Sequence, residues 1–545
     1  MKDISKFIEN KSIKQVFEES VKRYGENIFL SYPKMNLTKK IKEYSFNEVK
    51  DYVIEYNQYF MSINLKHKDR VSVILGNIPE FFIIKLSLNY IGISCVPLNY
   101  ELSDEELSYI INHSKSKHVI TSNIYLKKIE NILIKLKKNI SISTYSNNKF
   151  SDIKIIKRKK LNNTIKVSAK DEASLIYTSG TTGKPKGCIL TNFYEINAGY
   201  GYSVKKGLVS IRPGKEKIYN CLPVHHVNAG ILSFYAVLLT GNCQIQAERF
   251  SVNNFWYHIR FSKATIFHYL GVMAPILLKK KKNKIESKNY LRVGIGAGIE
   301  PNLHSAFEER FKIPMVELWG MTEMVRCIFD YKKNRSLGNR CFGKPDRLLE
   351  TKVINNLGDS IIDEEGELLI RHNKSNPKKG FFDGYFNNKK ATSKAWKNNW
   401  FHTGDIVIKN KRGYLFFIDR KKNIIRRSGE NISSAEIEDA LLNLTQIKNV
   451  AVCAYPHKIY EEEIMAFIIL KNKDKASKKI AKNILLQLSK NMAYFKLPGY
   501  IQFTNNLPLT SSQKIRKNEL IKKIKSQNFS KLYDLCEYKK LFRVN

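Results

Sequence analysis

The sequence contains no pair of cysteines at C-x-x-C spacing. Its eight cysteines (Cys95, Cys188, Cys221, Cys243, Cys327, Cys341, Cys453 and Cys536) are scattered along the chain. That pattern speaks against a zinc module or a disulfide framework and fits a reducing compartment. No uninterrupted apolar run reaches the roughly 18 residues that a membrane-crossing helix needs. The longest candidate, "GILSFYAVLLTG" (Gly230 to Gly241), is too short. The opening stretch "MKDISKFIENKSIKQVFEES" is charged throughout and has no apolar leader core, so a cytoplasmic location without integral membrane association is expected. Acidic residues are also scarce. There are 50 Asp and Glu against 93 Lys and Arg, a formal net charge of +43. Such an excess raises nucleic acid, an acidic membrane surface or anionic substrates as partners. The excess is spread along the whole chain, and no aromatic-interleaved basic motif of an RNA-binding module occurs. Nucleic acid is therefore not an expected partner.

What is present points to a globular chain. The 545 residues are 43% hydrophobic, enough for sizeable cores in roughly three to four compact units. Helical and strand patterns alternate to about residue 420. "VSVILGN" (Val71 to Asn77) reads as a strand and "EFFIIKLSLNYIG" (Glu80 to Gly92) as an amphipathic helix. "ASLIYTSG", "KATIFHYLG", "LRVGIGAG" and "IPMVELWG" are short β-rich runs that end in small or polar residues. Strands ending this way place a ligand across the strand ends of α/β layers. After "YLFFIDRKKN" (Tyr414 to Asn423) the texture changes, with a helix pattern in "SAEIEDALLNL" and strands in "NVAVCAYP" and "EEIMAFIIL". The expected fold class is α/β: a large N-terminal domain of several α/β subdomains (1–420), a small C-terminal α+β domain (421–525) and a charged tail (526–545).

The stretch "LIYTSGTTGKPKG" (Leu175 to Gly187) has the chemistry of a phosphate loop. Small residues let backbone N–H groups approach an anion, hydroxyls add donors and lysines add charge. It is not a Walker A loop. Gly180 and Gly183 enclose two residues instead of four, and Pro185 after Lys184 has no N–H with which to open a helix on phosphate.

The loop closely resembles the phosphate-binding signature of the acyl-adenylate-forming superfamily, which includes acyl-CoA synthetases. Further segments resemble the family's motifs in its order: "LPVHHVNAG" (Leu222 to Gly230), "GIGAGIEPNL" (Gly294 to Leu303), "ELWGMTE" (Glu317 to Glu323), "GELLIR" (Gly366 to Arg371), "GYFNN" (Gly384 to Asn388), "WFHTGD" (Trp400 to Asp405), "DRKKNIIRRSGENISSAEIE" (Asp419 to Glu438) and "LPLTSSQKIRKNEL" (Leu507 to Leu520). The resemblance covers roughly residues 10 to 520 and implies ATP, Mg²⁺ and coenzyme A as reactants and cofactor. By resemblance, Thr178, Ser179, Gly180, Thr181, Thr182 and Gly183, with Lys186, hold the β- and γ-phosphates. Gly296, Ala297, Gly298, Glu317, Trp319 and Gly320 surround the adenine. Thr322 bonds the α-phosphate and Glu323 binds the metal, whose preferred ligand is oxygen. Asp405 accepts the ribose hydroxyls, Arg420 adds a second ribose contact, and Lys422 stands at the hinge beside the nucleotide. Ser428 and Gly429 line a pantetheine tunnel once the C-terminal domain, mobile in the family, has turned. Lys514 bridges the substrate carboxylate and the phosphate as charge builds in the transition state.

His226 matches the histidine that gates the acyl pocket. Adjacent residues on a strand point to opposite faces, so His225 and His226 are not expected to share a metal, and His225 is expected to be packed or hydrogen-bonded. "LGDS" (Leu357 to Ser360) mimics a carrier-protein serine site but lacks a residue between Gly and Asp, and reads as a turn. Three positions depart from the family pattern: Trp319 where tyrosine is usual, Gln513 where glycine is usual, and Ser434 where proline is common. The implied activity is an ATP-dependent, AMP-forming acyl-CoA ligase acting on a small carboxylic acid. The alternative is a stand-alone adenylating enzyme that loads a separate carrier protein. "RRSGENISSAEIE" and "NMAYFKLPGYIQF" (Asn491 to Phe503) look most like the crotonobetaine/carnitine–CoA ligase branch. In the expected pocket wall, the bulk of Trp319 and Met324 points to limited depth.

Overall fold

The structure is a computed structural model that describes residues 8, 10–33, 41–146, 149–150, 165–178, 185–420, 423–427, 430–457, 461–471, 476–490, 492, 494–509, 515–526, 529 and 531–542. It resolves into two compact units: residues 1–350 with 370–401, and residues 351–369 with 402–545.

The first unit is α/β and is built on two largely parallel sheets. One runs in the order Met324–Phe329, Met315–Met321, Val293–Ala297, Ile266–Leu270, Lys217–Asn220, Cys243–Gln246, Ile28–Pro33, Ile41–Ser45, with antiparallel pairs only at its two edges. Three of the β-rich runs read from sequence are its neighbouring parallel strands, registered Phe267↔Gly294 and Gly294↔Met315. Their C-terminal ends therefore emerge on one side, which collects Leu270, Ala297 and Met321. The other sheet is ordered Lys149–Phe150, Ser141–Ser146, His118–Ser122, Arg70–Ile74, Ser94–Pro97, Glu172–Thr178, Lys186–Thr191. Its last two strands form an antiparallel hairpin in which Thr178 faces Lys186. A strand thus follows the phosphate-loop sequence, in place of the helix that follows a Walker A loop.

The helix Pro79–Tyr90 corrects the amphipathic reading of its sequence. Every residue from Pro79 to Asn89 is buried, so the helix is a core element with no solvated face. Its polar residues are satisfied internally. Lys85 donates to Ser174 Oγ at 2.8 Å and pairs with Glu195, and Glu80 accepts from the Tyr44 hydroxyl at 2.6 Å. The "LGDS" segment forms a turn, with the Asn355 side chain accepting from the N–H groups of Leu357 and Asp359, each at 2.9 Å. Gly358, at φ +95°, takes a left-handed conformation that few other residues adopt. All eight cysteines are free, and seven are buried.

In the second unit, one sheet is ordered Leu415–Arg420, Trp400–Lys409, Glu365–Arg371, Glu350–Ile354, Ser360–Ile361. The other is ordered Glu430–Ser433, Ile424–Arg427, Glu461–Leu470, Tyr500–Phe503, Tyr533–Asp534, with Ile447–His457 also pairing Glu461–Leu470. Alternate residues of its two long strands feed two different cores. Val450, Val452, Ile464, Ala466 and Ile468 pack with Ile437 and Leu441 of helix Ser434–Leu442 and with Ile484 and Leu485 of helix Lys478–Leu488. Ala451, Cys453, Met465 and Phe467 pack with Leu520 and Ile524 of helix Lys517–Lys525. Burial on both faces is why these strands read as continuous apolar runs. The stretch read as a charged tail supplies the strand Tyr533–Asp534 and the helix Cys536–Lys540, whose Lys539 is fully buried.

Candidate active site

Two hairpins of the first unit carry the candidate phosphate and metal residues. Glu172–Thr178 and Lys186–Thr191 flank the phosphate-loop sequence. Met315–Met321 and Met324–Phe329 close on the pair Met321↔Met324, which leaves Thr322 and Glu323 as a two-residue turn. The segment Phe382–Phe386 laces the two hairpins together through backbone bonds. Phe382 N donates to Glu323 O (3.0 Å), Asp383 N to Ile189 O (2.8 Å) and Phe386 N to Gly187 O (2.8 Å). Tyr385 completes the junction. Its hydroxyl donates to Glu323 Oε1 at 2.6 Å, and the Lys186 ammonium lies 4.6 Å from its ring centroid. Burial, reinforced by Glu323, pushes the Tyr385 hydroxyl far above its ordinary pKa, so it remains a donor. Tyr194 fixes the same turn by donating to Thr322 O at 2.6 Å.

Tyr385 and Tyr194 were not among the site residues read from sequence. Tyr385 sits inside the quoted "GYFNN" segment, but nothing in local spacing ties it to a glutamate 62 positions away.

Glu317 holds the loop that follows strand Val293–Ala297. Its carboxylate accepts from Gly298 N and Ile299 N, each at 3.0 Å, and from the Tyr269 hydroxyl at 3.3 Å. Burial raises its pKa, and the two backbone N–H groups oppose that shift. Gly298 adopts φ +80° and a side chain there would meet open space, so its backbone is presented to solvent. Trp319 is 6% exposed and stacks on Phe342, with ring centroids 5.9 Å apart and planes at 26°. The indole is therefore packed inside the unit.

The histidine pair departs from expectation. His225 and His226 lie in a turn closed by His226 N to Pro223 O at 3.1 Å, not on a strand, so the opposite-face argument does not hold. Their rings sit side by side at 4.5 Å. His225 is packed, and its buried Nε2 has no partner among the described residues, whereas His226 is exposed.

In the second unit, Asp405 and Arg420 face each other across adjacent strands, with Arg420 Nε 2.6 Å from Asp405 Oδ1. Asp405 is fully buried, and the Arg420 side chain is 42% exposed. The sequence-predicted Ser179, Gly180, Thr181, Thr182, Gly183, Lys422, Ser428, Gly429 and Lys514 lie outside the described residues, as does Gln513. The flanks of the Lys514 segment are described: Leu509 pairs with Ile515, and Arg516 N donates to Pro508 O at 2.7 Å.

No group of three or more metal-ligating side chains occurs among the described residues. A magnesium ion that keeps its waters and bridges phosphates needs only one or two carboxylates, and Glu323 fits that demand. It is 8% exposed, and Tyr385 fixes one of its oxygens while the other meets no hydrogen-bond donor among the described residues.

The chain is similar to known proteins over most of its length. The chain is 27% identical over 522 residues to the crotonobetaine/carnitine–CoA ligase of Proteus mirabilis (strain HI4320), covering 93% of this chain and 98% of that one. The fold matches that of the anthranilate–CoA ligase AuaEII in complex with anthranoyl-AMP (TM-score 0.80, 20% identity, 95% of this chain and 98% of that one). It also matches ATP-bound MatB from Rhodopseudomonas palustris (TM-score 0.79, 19% identity, 95% and 100%). Residues 436–514 match the AMP-binding enzyme C-terminal domain. With residues 17–386 matching the AMP-binding enzyme itself, the chain belongs to the AMP-binding enzyme family.

Proposed function

We propose that this enzyme is an ATP-dependent acyl-CoA ligase for a small carboxylic acid. A carboxylate oxygen attacks the α-phosphorus of ATP and pyrophosphate leaves. The CoA thiol then attacks the acyl carbon and AMP leaves. The observation that carries this reading is the Tyr385 junction, which sets the Lys186 cation and the Glu323 carboxylate at the ends of two neighbouring hairpins. Activating an acid with ATP brings two anions together, so positioned charge is most of what the protein must supply. Lys186 serves the terminal phosphates, Thr322 the α-phosphate and Glu323 the Mg²⁺ ion. When bound, that ion neutralises phosphate charge. Glu317 holds the Gly298 backbone where the base docks. Asp405, with Arg420 as its partner, serves the ribose. His226, exposed in its turn, guards the acyl entrance. The net charge of +43 favours encounter with anionic ATP and CoA.

Tyr385→Phe tests the junction. It removes the hydroxyl that fixes Glu323 Oε1, and loss of such an outer contact typically costs about 10–100-fold in metal affinity. The Mg²⁺ concentration for half-maximal adenylate formation should rise by about 10-fold, with little change at saturating Mg²⁺. An unchanged Mg²⁺ dependence would remove Glu323 from the metal site.

A panel of carboxylic acids with ATP and CoA, read by mass for acyl-CoA and AMP, tests the reaction. Butyrate and hexanoate should outperform palmitate, because Trp319 and Met324 are both buried along the expected pocket wall. Each methylene that is fitted or rejected changes selectivity by about 1–3 kcal/mol. A preference for C16 acids would overturn the size assignment. Acyl-adenylate formed without acyl-CoA would rule out CoA as the acceptor and leave the carrier-protein alternative to be tested with a carrier added.

A further inference from the structure

We propose that the acid this enzyme activates carries a second anionic group at its far end, and that Arg326 and Lys205 read it. This rests on the acyl-activating reading above and adds the substrate class. Arg326 lies on strand Met324–Phe329, three residues beyond Glu323 and on the same strand face as Met324. At a strand rise of about 3.3 Å per residue, its backbone is on the order of 10 Å from that of Glu323. A substrate with its reacting carboxylate at the Thr322–Glu323 turn would extend toward it.

The charge balance there is incomplete. Arg326 and Lys205 are each only 9% exposed at the side chain, and both turn to one carboxylate. Asp346 Oδ2 lies 2.8 Å from Arg326 Nε and 3.3 Å from Lys205 Nζ, while Asp346 Oδ1 accepts from Leu348 N at 3.0 Å. Glu350, a carboxylate beside His372, is paired with Arg371. His372 cannot compensate, because an imidazole carries no charge or a positive one; burial and the Arg326 cation lower its pKa. Gly201 lies under the Arg326 stem, and the Phe329 ring lies 5.6 Å from Lys205 Nζ. Arg326 has five N–H donors, and among the described residues only Nε is bonded to protein. Two nearly buried cations sharing one anion are costly, and a bound anion with two acceptor oxygens would offset that cost through the free guanidinium edge. The same surplus disfavours a trimethylammonium group, which needs aromatic faces or carboxylates instead.

The test compares kcat/KM for adipate with hexanoate and for suberate with octanoate, with carnitine as the cationic arm. The wild type is expected to favour the diacid of each pair by at least 10-fold. Arg326→Gln and Lys205→Met should each lower that ratio by about 10-fold or more, through KM, as loss of a charged contact does. Asp346→Asn, which frees both cations, should raise it. A wild-type preference for the monoacids or for carnitine overturns the proposal even if Arg326→Gln fails to fold. So does a folded Arg326→Gln whose ratio is unchanged. If no acid of any kind yields an acyl-adenylate, the acyl-activating reading itself has failed. If hexanoate reacts and adipate is not preferred, only the present inference has.

Discussion

Replacing Lys514 with alanine is expected to slow acyl-adenylate formation by on the order of 10²–10³-fold, the usual cost of losing one preorganised donor to transition-state charge. Thioester formation from synthetic acyl-adenylate should be largely spared. The chain on either side of that segment is firmly framed. Leu509 and Ile515 pair across the segment, Arg516 N bonds Pro508 O, and helix Lys517–Lys525 begins at once. Lys517 pins that helix start, with its ammonium 2.8 Å from Glu438 Oε1 and 2.6 Å from Ser434 Oγ. Ser434 Oγ donates in turn to Asp419 Oδ2 at 3.1 Å, and the same oxygen accepts from Ala435 N at 3.0 Å. The lysine motif is thereby tied to the carboxylate that opens the hinge sequence. Gly429→Trp, which fills the expected pantetheine tunnel, should give the reverse pattern: adenylation kept and thioester formation lost. Measuring both half-reactions separately decides the matter, and equal damage to the same half-reaction by both substitutions would sink the two-conformation assignment.

Ser434 shows what sequence comparison alone leaves out. Proline is favoured at the first helical position because its missing N–H costs nothing there, so a serine reads as a small defect. In the structure its hydroxyl joins Lys517 to Asp419, a link formed by residues 83 and 15 positions away. The strands were legible because their apolar runs end in glycines and hydroxyls, and the phosphate loop because its composition is itself the chemistry. Helix Pro79–Tyr90 reads as amphipathic because Lys85 and Glu80 look solvated until Glu195 and Tyr44, distant in sequence, are seen to meet them. His225 and His226 were placed on a strand because two histidines carry no local signal for the turn that Pro223 closes. Tyr385 and the Arg326–Lys205–Asp346 group are not legible in the sequence for the same physical reason. Each becomes chemistry only through a tertiary neighbour, and no periodicity encodes one.

Removing the Glu463 carboxylate is expected to be the most damaging single change to the second unit. Glu463 is fully buried between two cations, with Arg427 Nε 2.8 Å from Oε2 and Lys539 Nζ 2.7 Å from Oε1; Ile464 N also donates to Oε1 at 2.8 Å. Lys539 comes from the last helix, and Arg427 immediately precedes Ser428 and Gly429, so one carboxylate ties the end of the chain to the base of the expected CoA loop. Gly499 makes room for it, since a Cβ there would lie 2.4 Å from Glu463 Cγ. In Glu463→Leu the two cations would face each other without an anion, and breaking a buried pair in this way costs about 3–5 kcal/mol. For a unit of this size that lowers the melting temperature by on the order of 10 °C. The loss should depend on pH. Burial already holds the Lys539 ammonium down at about 8, and without Glu463 its pKa falls further. The unfolded chain then binds more protons than the folded one across the interval up to the ordinary lysine value, so the variant gains stability as pH rises through that window. Melting curves from pH 6 to pH 10 should show the deficit of Glu463→Leu shrinking up to about pH 8, the Lys539 value with Glu463 in place, and levelling above it where both proteins gain alike. Glu463→Leu with Lys539→Met should recover much of it at pH 7. A deficit independent of pH, together with no recovery in the double variant, would mean that Glu463 stabilises the unit through packing and not through charge.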